Sequence, residues 1–471
     1  MSGPRREEID EVLTLVEREA RSYIETLDER PLRDPKADDF ADGLVAPLPE
    51  QGAGASEALR ELFDRGLPAS VASSGPRFFH YVIGGVTPAA TGADWLSTAI
   101  DQNPGLWPAS PLGAQLFDVS VSWLKELFGI PESWAGTLVT GGTMANFAGL
   151  SAGRRWWGLK QGVDIEAKGM SGLPPVPVLS SGYIHASARK ACAMLGIGRE
   201  NIRTFARDAA GRLDAEALRA ALREVGGPAI VVANAGEVNA GDFDPIAEMA
   251  DIAEEHGAWL HVDGAFGLFA ALSTRTRPLL EGIERANSIS SDGHKWLNVP
   301  QDTGFTFVRD PEILNSLFTV SAAYLTTEGH RPNPGYMTPE SSQRARGIVI
   351  WATLRAYGRE GYREIVERNL DLAQRIAARV DEAPDLERLA EVPLNIVCFR
   401  YRPPGVDDEK AIDEVNTRIG EEILTDGRVY VGTTLFEGKV AFRPAIVNWR
   451  TRQEDVDLLV GVVRELGARL A

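Results

Sequence analysis

Three things are scarce in this 471-residue chain: cysteine, long apolar runs and positive charge. Its two cysteines, Cys192 and Cys398, lie far apart and lack metal-type spacing, and so few thiols are typical of proteins in reducing compartments. No apolar run approaches the 18 residues of a membrane-spanning helix, and the N-terminus lacks the apolar segment of a signal peptide. Acidic residues outnumber basic ones by 67 to 49, which disfavours nucleic acids and anionic membranes as partners. We therefore expect a soluble, cytoplasmic protein without a metal site.

The sequence pattern divides the chain into three parts. Residues 1–70 begin with an amphipathic helical pattern, followed at 30–55 by a stretch rich in Pro, Asp and Gly that cannot form a core of its own. This arm is predicted to wrap around another domain or a second subunit. Residues 71–320 are predicted to form a large α/β domain, and residues 321–471 a mobile loop and a smaller C-terminal α+β domain.

The large domain is predicted from short apolar segments that alternate with helical ones. Such alternation indicates a mainly parallel sheet covered by helices on both faces. Beyond it, a long helical run at 341–378 precedes two further strands and two helices. The strands predicted for the large sheet are 136–140, 176–180, 201–206, 229–234, 259–263, 288–292 and 304–308.

Polar residues at strand ends are the first candidates for a binding site, because parallel α/β sheets bind ligands beyond the C-terminal ends of their strands. The first strand leads into TGGTMAN, residues 140–146, which contains Gly141, Gly142 and Thr143. Glycines at a strand-to-helix turn leave backbone N–H groups free at a helix N-terminus, an arrangement that binds phosphate. A tight turn in which Thr143 caps the helix is the alternative.

A histidine, an aspartate and a lysine follow at three other strand ends. His185 begins a helix, Asp263 ends an apolar strand, and Lys295 lies in SISSDGHKWLNVP, residues 288–300. His185 and Asp263 could both be simple helix caps, and Lys295 could be an ion-paired surface residue. Taken together, the four segments supply the contacts that pyridoxal phosphate (PLP) requires: phosphate, ring face, ring nitrogen and aldehyde carbon.

These motifs carry a family resemblance. TGGTMAN, HASARKA, HVDGAFG and DGHKWLNVP resemble the group II PLP-dependent decarboxylases, which include aromatic-L-amino-acid, glutamate and histidine decarboxylases. The resemblance covers roughly residues 70 to 450. It implies the type I (aspartate aminotransferase-like) PLP fold and an obligate homodimer with active sites at the subunit interface. The N-terminal arm would then clamp the two subunits together.

The resemblance also implies roles for individual residues. Lys295 would form the Schiff base with PLP, Asp263 would pair with the pyridine nitrogen, and His185 would stack on the ring. Asp292 stands where an asparagine near the phosphate is common, so its carboxylate must point away or be counterbalanced. The other expected cofactor contacts are Gly141, Gly142 and Thr143 with His294 at the phosphate, and Asn239 as a polar contact.

The substrate pocket departs from that of the aromatic decarboxylases. Asn103 replaces a bulky apolar residue, so the pocket is expected to be more open or more polar. Arg443 resembles an arginine that contacts a substrate carboxylate in glutamate decarboxylases, although an outward strand arginine is equally consistent with the pattern. Segments around Tyr81 and Trp107 resemble the family's substrate entrance.

The expected reaction is decarboxylation of an amino acid to its amine. In this family a tyrosine on a mobile loop donates a proton afterwards, and Tyr336 lies near the corresponding place. A surface tyrosine is the alternative. Other PLP chemistry on the same scaffold, namely oxidative aldehyde synthesis, transamination or carbon–carbon cleavage, stays open, as does a non-enzymatic scaffold.

Overall fold

The N-terminal region is helical and leaves apolar side chains uncovered. The structure, a computed structural model, describes residues 5–319, 322, 329 and 331–471. On the first helix, Ile9 and Leu13 are 57% and 62% exposed, and in the following arm Val45 and Leu48 are exposed too. The arm contains one short helix that the sequence pattern did not predict. The helices of this region are α1 (Glu8–Glu25), α2 (Ala37–Asp42), α3 (Ala55–Glu61) and α4 (Leu67–Ala69).

A seven-stranded sheet forms the centre of the molecule. Its spatial order is β1-β7-β6-β5-β4-β2-β3, and only β7 runs antiparallel to its neighbours among the described residues. Every residue of β4, β5, β6 and β7 is buried, as expected for strands covered on both faces. The predicted mainly parallel sheet is therefore confirmed. Its strands are β1 (Ala135–Val139), β2 (Val178–Ser180), β3 (Ile202–Thr204), β4 (Ile230–Asn234), β5 (Trp259–Asp263), β6 (Ser288–Asp292) and β7 (Gly304–Val308).

Helices cover both faces of this sheet, with short 3₁₀ turns between several of them. The longest helix that follows a strand of the sheet begins directly after β1, at Gly142. These helices are α5 (Pro88–Ile100), α6 (Pro111–Phe128), α7 (Gly142–Lys160), α8 (Ile165–Lys168), α9 (Ala186–Met194), α10 (Ala215–Val225), α11 (Ile246–Glu255) and α12 (Pro311–Leu317).

The C-terminal region contains a second, antiparallel sheet of order β10-β11-β9-β8. The predicted helix at 341–378 is shifted and divided: it spans Arg346–Glu382 (α13), and Gly358 interrupts it with φ 59° and ψ −172°. Glycine adopts positive φ at no steric cost, so two helices meet there. The other elements are β8 (Leu386–Arg388), β9 (Phe399–Tyr401), α14 (Glu409–Asp426), β10 (Thr433–Phe436), β11 (Lys439–Phe442) and α15 (Gln453–Leu470).

The two sheets lie on either side of residue 320, while the division into domains at residues 70 and 320 stays a prediction. The predicted mobile loop, residues 326–342, lies mostly within the described residues; its residues 326–328 and 330 fall outside them. Across the parts of the chain that the structure describes, no helix is both long and apolar enough to cross a membrane.

The strand register collects candidate residues at one edge of the large sheet. Asp263 at the end of β5 pairs with Ser290 of β6, and Asp292 at the end of β6 pairs with Gly304 of β7. Gly304 in turn pairs with Val139, the last residue of β1. The segments that follow β1, β5 and β6 therefore begin side by side.

Candidate active site

A two-glycine turn connects β1 to α7. Gly141 has φ 141°, a left-handed value that favours glycine, and Gly142 is the first residue of α7. The first backbone hydrogen bond of this helix runs from Ala145 N–H to Gly141 O, so the preceding amides have no partner within the helix. A Cβ atom on Gly142 would lie 2.5 Å from Asp292 Oδ2. The turn is therefore a bare backbone cradle with free N–H donors, suited to an anion.

Lys295 lies beside this cradle. Its Nζ is 3.0 Å from Asp292 Oδ2, and the two side chains are only 14% and 4% exposed. A cavity of about 250 Å³ opens here, lined by residues from four of the predicted segments. The lining consists of Thr140, Gly141, Gly142, Thr143, Met144, His185, Ser187, Ala265, Asp292, His294 and Lys295.

The His294 ring is held by the backbone and kept neutral. Its Nδ1 donates a hydrogen bond to Thr303 O at 3.0 Å. Burial lowers the pKa of the His294 imidazole, an effect that Asp292 opposes and Lys295 reinforces. Among the described residues that line the cavity, Lys295 is the one lysine or arginine.

Asp263 is fixed by two donors at the end of β5. Its Oδ1 accepts from the Ala265 backbone N–H at 3.1 Å, and its Oδ2 accepts from Asn146 Nδ2 at 2.8 Å. The carboxylate is nearly buried. The first contact resembles a turn cap, as the alternative interpretation expected, whereas the second comes from a residue 117 positions away on α7.

Asn146 uses all of its hydrogen-bonding capacity. Its Oδ1 accepts from Ser290 Oγ at 2.8 Å and from His261 Nε2 at 2.8 Å. The amide nitrogen must therefore face the other way, where it donates to Asp263 and, at 3.1 Å, to Ser187 Oγ. Two fixed acceptors on one side thus set the orientation of both donors on the other.

His185 is at once a helix cap and a cavity-lining ring. Its Nδ1 accepts from the Ser187 backbone N–H at 3.2 Å and lies 2.6 Å from Ser187 Oγ. Nδ1 is therefore an acceptor, and a neutral ring carries its proton on Nε2. Burial is the main cause of a lowered pKa for the His185 imidazole, opposed by Asp263 and reinforced by Lys295.

Three residues of this site were not predicted from the sequence: Asn146, Ser187 and His261. Asn146 and Ser187 lie inside the TGGTMAN and HASARKA motifs, and His261 lies two residues before Asp263. The available signal was position alone, since a polar residue one or two turns into a helix can return to the strand ends beside it. Burial lowers the pKa of His261 to about 4, so its ring is neutral.

The predicted substrate residues lie outside the cavity that Lys295 lines. Tyr81 is exposed, and its φ of 54° is left-handed. Asn103 Oδ1 accepts from the N–H of Gly105 at 3.1 Å, and the Arg331 guanidinium lies 4.4 Å from the centre of the Trp107 ring. In this chain, then, neither Asn103 nor Trp107 is brought to Lys295.

Asn239 and Arg443 form hydrogen bonds that connect the loop after β4 to the region of the second sheet. Asn239 Oδ1 accepts from Thr434 Oγ1 at 2.7 Å, which joins the loop after β4 to β10. Arg443 Nη1 donates to Val238 O at 3.1 Å, and burial lowers the pKa of its guanidinium, which Glu237 opposes. The positive charge of Arg443 also lowers the pKa of His185, a residue that lines the cavity.

Tyr336 ends a single 3₁₀ turn, Pro334–Tyr336, in the loop before α13. The loop packs on the segment that carries Asn103 and Trp107: the N–H of Gly335 donates to Gly105 O at 2.8 Å. Tyr336 is partly buried and is not among the residues that line the Lys295 cavity.

Comparison with known proteins gives consistent results. Residues 53–402 match the family described as the pyridoxal-dependent decarboxylase conserved domain. An aromatic-L-amino-acid decarboxylase of Bacillus atrophaeus is 30% identical over 436 residues, 91% of this chain and 88% of the relative. An L-2,4-diaminobutyrate decarboxylase of Rhizobium meliloti (strain 1021) is 30% identical over 432 residues, 90% of this chain and 84% of the relative.

The fold has a close structural counterpart. The crystal structure of Oryza sativa TDC with PLP and tryptamine superposes with a TM-score of 0.91 at 24% sequence identity, covering 100% of this chain and 99% of that one. The expected type I fold, with its large α/β sheet, is confirmed by this likeness together with the family match.

Proposed function

The chain belongs to the pyridoxal-dependent decarboxylase family, and we propose that it converts an L-amino acid into its amine and carbon dioxide through a covalent link at Lys295. Membership makes it a PLP-dependent amino-acid decarboxylase, a carboxy-lyase. One observation carries the assignment to Lys295: its amine, the glycine turn and His185 line the same cavity. A nearly buried amine beside an anion cradle suits a phosphorylated aldehyde.

The residues present fit PLP. The backbone N–H groups at the turn of Gly141 and Gly142 would hold the phosphate. The turn has no room for a side chain, because a Cβ on Gly142 would meet Asp292. Asp263, fixed by Asn146, would pair with the pyridine nitrogen, and the neutral His185 ring would lie against the ring face. When bound, PLP supplies an electron sink for the carbon that loses carbon dioxide.

The substrate contacts are proposals of the same kind. Arg443 is a partly buried cation that is oriented by Val238 O, so it can bind a carboxylate of the substrate. Tyr81 and, from the entrance segment, Asn103 and Trp107 would contact the substrate, and Asn239 would be a polar contact. The relatives act on an aromatic amino acid and on L-2,4-diaminobutyrate, so a panel of substrates is needed.

We propose a homodimer in the cytoplasm. Apolar side chains of α1 and the arm, including Ile9, Leu13 and Leu48, are exposed in the single chain, and a second copy can cover them. Such a dimer could also bring Asn103, Trp107 and Tyr336 of one chain toward the other chain's cavity. Both cysteines are free and buried, which suits a reducing compartment.

Tyr336 is the proposed proton donor to the substrate carbon. Its loop packs on the entrance segment through Gly335 and Gly105, so a movement of the loop would change access to the site. A phenol stays protonated at neutral pH and can give its proton to a carbanion.

The direct test is a substrate screen. The purified enzyme with PLP is incubated with each common L-amino acid and with L-2,4-diaminobutyrate, and carbon dioxide, amine, aldehyde and hydrogen peroxide are measured. We expect carbon dioxide and amine in equal amounts from at least one substrate, and neither from Lys295→Ala. Aldehyde with peroxide would replace the proposal by oxidative aldehyde synthesis, and a keto acid by transamination.

A further inference from the structure

The backbone carbonyl of Lys295 is held by a side chain as well as by its own turn. Asn298 Nδ2 donates a hydrogen bond to Lys295 O at 2.9 Å and another to Val447 O at 2.8 Å. The Asn298 backbone N–H also reaches Lys295 O, at 3.4 Å. Asn298 is fully buried, and its φ of 54° is left-handed, a conformation that asparagine adopts more readily than most residues. One amide therefore joins two carbonyls that are far apart along the chain.

The orientation of the Asn298 amide follows from these two acceptors. Turning the amide over would place Oδ1 against the carbonyl oxygens of Lys295 and Val447, where no hydrogen bond can form. In the observed orientation Oδ1 is buried and has no hydrogen-bond partner among the described residues. A buried acceptor without a partner costs free energy, so the donor is the half of the amide that this position uses.

Val447 belongs to the segment that begins at Arg443. Between them, Ala445 and Ile446 are buried, and the N–H of each donates at 2.9 Å to a backbone carbonyl of another part of the chain. A short, fixed stretch of backbone therefore separates the Val447 carbonyl from the Arg443 side chain. Through the shared amide, the segment that carries Arg443 is attached to the turn that carries Lys295.

We propose that Asn298 sets the spacing between Lys295 and the Arg443 guanidinium, and thereby aligns the amine and the carboxylate of an amino acid. An α-amino acid carries both groups on one carbon, so the groups that receive them must stand at a fixed distance. A misplacement of about 1 Å can cost about 100-fold in rate. The Asn298 amide bonds to backbone rather than to reacting groups, so it is a positioning residue. This inference rests on the proposed roles of Lys295 and Arg443.

Glycine and methylamine test this alignment, because they differ by one carboxylate. Each is titrated into the PLP-bound enzyme, and the change in cofactor absorbance gives a dissociation constant. The wild type should bind glycine more tightly than methylamine. Two variants, Asn298→Asp, whose carboxylate cannot donate, and Asn298→Gly, which tolerates the left-handed backbone, should weaken glycine binding by about tenfold or more. Methylamine binding should stay unchanged in both.

The matched control is Asn416→Asp. Asn416 is also fully buried, and its Nδ2 also donates to two backbone carbonyls, those of Tyr401 and Ile412, both at 2.8 Å. Its partners lie in β9 and α14, away from the Lys295 turn. The control variant should lower the free energy of unfolding without changing the ratio of the two dissociation constants.

Three results would overturn the proposal: equal binding of glycine and methylamine by the wild type, an unchanged ratio in both Asn298 variants, or an equal loss of both ligands. Borohydride reduction of the same samples reports whether PLP is linked to Lys295. Failure of that link in the wild type would overturn the proposed function as well. A glycine preference that is lost in the Asn298 variants, together with no decarboxylation of any amino acid, would overturn only the proposed function.

Discussion

Asn146 donates a hydrogen bond from Nδ2 to Asp263 Oδ2 across 2.8 Å, although 117 positions separate the two residues. The same amide group donates to Ser187 Oγ, which lies 2.6 Å from His185 Nδ1. A single side chain on α7 therefore orients both residues that are proposed to contact the cofactor ring. It does so without lining the cavity itself.

Replacing Asn146 by aspartate should weaken cofactor binding while the fold survives. The change keeps the shape but puts an acceptor where Asp263 and Ser187 need a donor. Loss of a hydrogen bond to a buried charge costs about 1–3 kcal/mol, so we expect the PLP dissociation constant to rise by about 10- to 100-fold and kcat to fall. Titration of the apoenzyme with PLP, followed by visible absorbance, measures the first effect.

The control for this variant is Asn315→Asp on the exposed side of α12, which makes the same chemical change away from the site. It should leave PLP affinity and the cofactor spectrum unchanged. If Asn146 is purely structural, Asn146→Asp should lower the free energy of unfolding and leave PLP affinity and the cofactor spectrum unchanged. That result would contradict a role of Asn146 in the site.

The buried ring of His261 should make stability pH-dependent. Burial lowers its pKa from the ordinary 6.5 to about 4, so protonation favours the unfolded chain. The contribution of the neutral His261 ring to the free energy of unfolding is complete above pH 6.5. As the pH falls toward 4, this free energy decreases by about 3 kcal/mol.

His261→Gln can still donate to Asn146 but does not titrate in this range. Urea unfolding of both proteins between pH 7 and 4 should therefore show a steeper acid loss in the wild type. Parallel curves would mean that His261 is not neutral in the folded enzyme.

Replacing Tyr336 by phenylalanine should separate carbon dioxide release from amine formation. The variant keeps the shape of the loop and removes only the hydroxyl proton. Carbon dioxide release should survive, the yield of amine should fall, and aldehyde, ammonia and peroxide should appear. Tyr357→Phe serves as the control, because its hydroxyl accepts from the Ala89 N–H, at a different place. Unchanged amine yield in Tyr336→Phe would exclude it as the donor.

The large sheet could be predicted from the sequence because its strands are short apolar runs with distinct ends. The strands at β5, β6 and β7 were predicted with the same bounds that the structure shows, and each is followed by polar or glycine-containing segments. The segments that follow β1, β2 and β6 hold the cavity residues Gly142, His185 and Lys295. Two strands of the smaller sheet, β8 and β10, were not predicted, because their sequences LER and TTLF contain no long apolar run.

Contacts between distant residues could not be predicted. The hydrogen bonds of Asn146 to β5 and β6 have no local signature, since they depend on how α7 packs on the sheet. The Asp292–Lys295 ion pair joins residues only three positions apart, but the sequence left open whether the carboxylate points away or is counterbalanced, and by which group. The break at Gly358 was missed because a lone glycine within a helical run is often tolerated.

The most direct test of the central claim is to trap the cofactor on its lysine. Sodium borohydride reduces the carbon–nitrogen link between PLP and the enzyme, and proteolysis with mass spectrometry then locates the pyridoxyl group. We expect one label per chain, on Lys295, and none in Lys295→Ala. Recovery of the label on another residue, such as Lys190 on α9, would contradict the assignment of Lys295 and the site built around it.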